Sequence, residues 1–236
     1  MAEPISEPAA EPTWRAVEAV PVALLALIVT SFASALAAVA GAGDGAFLLA
    51  GFVFEASLAG FTILWVATRH PGSLPALRLS STRTARDVAA GFWAGLATFA
   101  AAVLVVAPLI YFLIGLLSGG PIEPPQQEVL PANPSTMLVV LGGFVVILAA
   151  PFGEEVFFRG FLHSALRRRL GFPAAAAISS AVFAAFHVIP LLMPVMFAVG
   201  MALATVYERR ASLLAAVAAH AAFNLVGYIL IVLALR

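Results

Sequence analysis

The sequence predicts an all-α protein, a polytopic transmembrane helical bundle of about seven spans. Three observations predict it. Of the 236 residues, 63% are hydrophobic and 10% are charged. The mean hydropathy is +1.06. The apolar residues fall in runs long enough to cross a bilayer, whose hydrocarbon core of about 30 Å needs about 20 helical residues. A water-soluble domain carries about 45–50% apolar and about 25% charged residues, so this chain lacks the polar side chains to clothe a water-facing surface.

Taken in order, the start of the chain, with Glu3, Glu7 and Glu11 among prolines, reads as a disordered acidic tail over 1–15. Apolar runs follow at about 17–42, 46–67, 88–117, 136–166, 172–189, 193–207 and 211–235. The first run contains Ala35-Leu36-Ala37, which resembles a cleavage site, but it is too long and its flank too acidic for a signal peptide, so a retained helix is expected. The fourth is overlong and reads as interrupted at Pro151 and Gly153. The fifth and sixth are short and separated only by Pro190 to Pro194, which suits a re-entrant pair and leaves six to eight spans open. Two parts result: N-terminal spans over 16–135 and a second group over 136–236.

Arginine placement orients this bundle. Arg69, Arg78, Arg83 and Arg86 share one loop, Arg167 to Arg169 a second, and Arg209 with Arg210 a third. Alternation across seven spans puts these loops on one side with Arg15, so ten of the twelve arginines are expected to face the cytoplasm, with the N-terminus. The loop at about 118–135 holds Glu123 and Glu128 and no basic residue. Twelve acids balance twelve bases, so no basic stripe is offered to nucleic acid. The lack of cysteine excludes disulfides and a thiol nucleophile. The lack of lysine suggests a GC-rich genome, and with it a bacterial inner (plasma) membrane.

Ionisable residues within apolar spans are costly and by default mark function. Here they are Glu55, Glu154, Glu155, Arg159, His187 and His220, with Asn224 as a neutral companion. Counting from the arginine loops at 1.5 Å per residue puts Glu154, His187, His220 and Asn224 about 15–24 Å deep, in one stratum. Glu155 and Arg159 are four apart and share a helix face, where they can pair. Glu154 lies about 100° around from Glu155, so one carboxylate can be held while the other faces a cavity. His220 and Asn224 repeat the i, i+4 spacing, as do Phe183 and His187.

A carboxylate, two imidazoles and an amide in a water-restricted pocket suit hydrolysis of an amide bond. Glu154, partly desolvated, is placed to take a proton from water that His187 binds or orients. His220 and Asn224 can donate hydrogen bonds to the developing oxyanion. Arg159 then fixes Glu155.

Three segments carry a family resemblance: Glu154-Glu155-Val-Phe-Phe-Arg159, Phe183-Ala-Ala-Phe-His187 and His220-Ala-Ala-Phe-Asn224. In order and at matching depth, they resemble the motifs of the CPBP (Abi) intramembrane endopeptidases, which include the type II CAAX prenyl endopeptidases and bacteriocin-processing or immunity proteins. The resemblance covers about residues 140–230. It implies a CAAX-endopeptidase-like core and proteolysis by a glutamate-activated water. Glu154 and His187 then act on the water, His220 and Asn224 bind the oxyanion, and Glu155 and Arg159 shape the site. It also implies a peptide or protein substrate, prenylated or leader-bearing, met among membrane lipids. No cofactor is expected. The alternative is a divalent metal such as zinc on Glu154, His187 and His220, although no His-Glu-x-x-His helix is present.

Blander readings stand beside each residue. Glu154, Glu155 and Arg159 can be a structural ion group, and His187 a packed histidine bonded to a carbonyl. His220 and Asn224 can be interhelical glue, and Phe183 plain packing. Glu55 can join the site, pair with Arg159, or bond a neighbouring helix as a neutral acid. His163 reads as snorkelling to the interface. Gly41-Ala-Gly43-Asp44 resembles an aspartyl-protease element, but Asp87 lies across the membrane from it and Asp44 reads as a turn. Two further functions remain open: a non-proteolytic regulatory or immunity protein of the same fold, and a small proton-coupled transporter using Glu55, Glu154 and Glu155.

Overall fold

A computed structural model describes residues 11–41, 43, 45–81, 83–123, 130–131 and 133–235. Every regular element among them is helical. Helix α1 covers Ala16–Val39, α2 Gly45–Arg69 and α3 Thr84–Ser118. A long helical stretch, Thr136–Phe186, bends sharply at Gly171 (φ 74°, ψ 172°), which divides it into α4 (136–170) and α5 (172–186). Helices α6 (Met193–Arg210) and α7 (Leu213–Ala234) complete the bundle. Five of these stretches are long and apolar enough to cross a membrane, with Thr136–Phe186 counted as one. The chain is a membrane-spanning helical bundle. Asp44 and the acidic residues Glu3, Glu7 and Glu128 lie outside the described residues.

The expected break at Pro151 does not occur. The backbone runs on through Pro151, preceded by a turn of π-helix at Val145–Ala149. A second π turn, Ala102–Val106, stands just before Pro108. An interior proline removes one N–H and crowds the carbonyl four residues back. Widening the preceding turn relieves both while the helix continues. A third π segment, Val156–His163, carries Arg159.

One residue of the stretch expected as a tail, Trp14, packs into the bundle. Trp14 is fully buried, stacks on Phe161 at 5.3 Å and donates from Nε1 to the Phe161 carbonyl at 2.9 Å. An indole whose N–H finds a carbonyl is a strong anchor, and it ties the chain start to α4. His163, expected to snorkel, is buried with no exposure.

Arginine-bearing segments meet at one end of the bundle. Arg168 donates to the Pro12 carbonyl at 2.6 Å, Arg167 pairs with Glu208 at 2.8 Å, and the Leu213 N–H donates to the Arg78 carbonyl at 2.9 Å. Arg210 reaches Asp87 at 2.5 Å. These contacts join the chain start, the α2–α3 loop, the end of α4 and the α6–α7 turn, as alternating helices require.

The most extensive interface is that of α3 with α7. Gly91 and Gly95, four residues apart, let the backbones touch: a Cβ on Gly91 would strike the Ala215 carbonyl, and one on Gly95 the Ala219 carbonyl. Small residues one turn apart permit such an approach in apolar surroundings, where helices associate by close packing. Because Ala219 precedes His220, this contact sets the position of that imidazole.

Candidate active site

Glu154 and Glu155 sit at the end of the α-helical turn Ala150–Glu155 in α4, one residue before the π segment. Glu155 is fully buried, and its Oε1 accepts from Arg159 NH1 at 2.9 Å and from His220 Nδ1 at 2.9 Å. Arg159, also fully buried, sends NH2 to the Gly200 carbonyl of α6 at 3.0 Å. Its guanidinium lies over the Phe183 ring, 4.7 Å from the centroid. A buried charge that loses its partner is strongly destabilising, so this network ties α4, α5, α6 and α7 together.

Glu154 is turned elsewhere. Its side chain keeps 16% exposure, and its Oε2 stands 3.7 Å from His220 Nε2, beyond hydrogen-bond length. With Nδ1 committed to Glu155, His220 directs Nε2 at Glu154.

His187 does not lie deep in a helix. Helix α5 ends at Phe186, and His187 caps it, with Nδ1 donating to the Phe183 carbonyl at 3.0 Å. The physical reason is downstream: Pro190 excludes continued helix, and Val188 turns the chain in a left-handed conformation, φ 57°. The last carbonyls of a helix lack partners, and the imidazole supplies one while Nε2 remains available. A β-branched residue at positive φ is strained, which ties the His187 turn to a tightly determined local structure.

Phe183 holds these groups together. Its ring meets His187 at 4.8 Å and His220 at 5.8 Å, both edge-on, and carries Arg159 on its face. Read from sequence as packing, it is the contact shared by both histidines and the arginine. Asn224 bonds across to α4: its Nδ2 donates to the Val146 carbonyl at 2.8 Å. That carbonyl belongs to the π turn, where the wider winding alters the helix's own pairing, and one Nδ2 hydrogen remains.

Glu55 reaches the site rather than Arg159. It is 7% exposed, and its backbone carbonyl and Oε2 pack against Gly153, the residue before Glu154. A Cβ on Gly153 would come within 2.6 Å of both Glu55 atoms, so only glycine admits this approach. The glycine preceding Glu154 was the available signal. Among the described residues, Glu55 Oε2, Glu154 Oε2, Glu155 Oε2 and Arg159 Nε are all buried without a hydrogen-bond partner. Orphaned buried atoms are rare in folded proteins and each costs stability. Their concentration here leaves unmet donors and acceptors around Glu154. Two Nε2 atoms and a carboxylate are suitable zinc donors, but no three His, Cys, Asp or Glu side chains among the described residues stand together closely enough to hold a metal ion.

A membrane helical bundle with a buried carboxylate–arginine–histidine network and an unsatisfied carboxylate beside it has the makings of a hydrolytic site. Residues 136–226 match the family model described as type II CAAX prenyl endopeptidase Rce1-like. Over those residues, well under half of the chain, the protein is similar to the Rce1-like domain of the CAAX proteases. No curated protein and no solved structure matches the chain.

Proposed function

We propose that the protein is an intramembrane endopeptidase in which Glu154 activates water for attack on a peptide bond. The observation that carries this reading is the pairing of opposite circumstances on adjacent carboxylates. Glu155 is locked by Arg159 and His220, whereas Glu154 Oε2 is unpartnered and 3.7 Å from His220 Nε2. A water hydrogen-bonded to Glu154 has a base for its proton and room beside the imidazole.

In the reaction, Glu154 takes a proton as the water oxygen bonds to the substrate carbonyl carbon, with His187 Nε2 orienting that water. The oxyanion accepts from His220 Nε2–H, on a ring held through Nδ1 by Glu155, and from the second Nδ2 hydrogen of Asn224. Glu154 then returns its proton to the amine as the C–N bond breaks. Arg159 keeps Glu155 in place. The similarity to a CAAX prenyl endopeptidase supports a peptide or protein substrate met at the membrane, and in this reading that substrate is prenylated or leader-bearing. No cofactor enters these steps. In this reading the arginine end faces the cytoplasm of a bacterial inner membrane.

Quenched-fluorescent peptides of both types, offered to protein in nanodiscs, test the proposal. Glu154→Gln is expected to lower cleavage by roughly 10²–10⁴-fold, the contribution of a positioned general base, without changing the thermal midpoint by more than a few degrees. Retained cleavage in that variant would remove Glu154 from the reaction. Loss of wild-type cleavage to a chelator, restored by zinc, would transfer water activation to a metal.

A further inference from the structure

A cavity of about 430 Å³ opens at the arginine end, apart from the Glu154 site. Arg78, Arg167 and Arg168 line it, together with His163, Tyr207 and Glu208. His163 lies nine residues along α4 from Glu154, about 13 Å along the axis, and the fully buried Arg159 stands between them.

Three features make this more than a topology signal. The first is a pair of orphans: the Tyr207 hydroxyl and His163 Nε2 have no hydrogen-bond partner among the described residues, although these side chains are 1% and 0% exposed. A cavity wall bearing two such atoms is built for a polar guest. The second is Arg78. Its backbone is left-handed (φ 57°), its carbonyl is pinned by the Leu213 N–H, and its guanidinium lies 5.2 Å from the Tyr207 ring centroid. It makes no ion pair among the described residues, and strained backbone that the surroundings over-determine concentrates at ligand clamps. The third is the charge balance. Glu208 is already committed to Arg167 at 2.8 Å and stays 3.7 Å from His163 Nε2. Arg168 spends one N–H on the neutral Pro12 carbonyl. Uncommitted positive charge therefore faces the cavity, tempered by exposed Glu11 in its lining.

We propose that this cavity binds a phosphate group, carried by an anionic lipid headgroup or free in solution, between Arg78, Arg168 and the Tyr207 hydroxyl. Guanidinium groups hold phosphate oxygens through paired, charge-assisted hydrogen bonds. The arginine-bearing end of a membrane bundle is also where headgroup phosphates lie.

The test uses the full chain in a maltoside detergent, titrated with inorganic phosphate at low millimolar concentration and ionic strength held constant with chloride. This stays below the range where phosphate stabilises proteins by exclusion. A parallel arm uses phosphatidylcholine nanodiscs with and without phosphatidylglycerol, reading the thermal midpoint and the lipid retained in native mass spectrometry. Wild type is expected to show a saturable rise in midpoint, with apparent affinity falling roughly ten-fold in Arg78→Gln and in Tyr207→Phe. Without phosphate, Tyr207→Phe should melt at or above wild type, because it deletes an orphaned hydroxyl; this separates a lost ligand contact from a damaged fold. Glu11→Gln should tighten binding. A response to phosphate alone assigns a free anion, and one to phosphatidylglycerol alone assigns the headgroup. No response in either arm, or one equal in wild type and both variants, overturns the proposal.

Discussion

The charges in the middle of the bundle and those at its arginine end are paired by similar distances and do different work. Glu155 and Arg159 meet at 2.9 Å with neither side chain exposed, whereas Arg167 and Glu208 meet at 2.8 Å with 44% and 26% exposure. In the first region, removing one partner strands a charge in low dielectric. In the second, water and headgroups screen whatever is left. Geometry alone would rank the pairs as equals. Burial separates them, and burial is why the middle network fixes the placement of four helices while the end pairs mainly hold neighbouring helices in register.

The comparison can be broken from its strong side first. Arg159→Met should destabilise the protein by about 3–5 kcal/mol, because Glu155 is left buried with one partner fewer; a loss below about 1 kcal/mol in thermal or denaturant unfolding would put the network on a par with the surface pairs. Next comes Gly95→Val, which forces α3 away from the Ala219 carbonyl. Overpacking of this kind costs about 1–3 kcal/mol. Since Ala219 adjoins His220, peptide cleavage should fall more steeply than stability. Unchanged cleavage would detach the α3–α7 contact from the site.

Arg210→Gln tests an intermediate case. Asp87 is 4% exposed in its side chain and also accepts from Ser81 Oγ at 2.6 Å, while Arg210 is 32% exposed. A loss of about 2 kcal/mol is expected, near the range for hydrogen bonds to charged groups. Arg167→Gln should be smallest, under about 1 kcal/mol in phosphate-free detergent, and should shrink further as salt is raised. A larger, salt-independent loss would mean that the end pairs are as dry as the central ones.

Much of the central site was legible because helical spacing is a local property. Glu155 and Arg159 could be paired from their separation of four, and the second carboxylate had to point away. What escaped were consequences of irregular backbone. The Asn224 amide is half committed because Val146 lies in a π turn, and hydrophobic periodicity carries no sign of such turns. His187 ends a helix because of Pro190, a signal present in the sequence but outweighed by the long apolar run. Glu55 could not be placed from sequence, since its packing against Gly153 depends on which helix face meets which.

The sequence by itself determined the helical membrane class, the clustering of arginines and the residue types of the site, because apolar run length, charge placement and i, i+4 spacing act within single segments. Only the tertiary structure decided which carboxylate is locked, that Phe183 links both histidines to Arg159, and that Glu55 lies beside Glu154. Those outcomes depend on how closely backbones approach across helices, and that approach is set by glycines whose role becomes visible only once a partner helix lies against them.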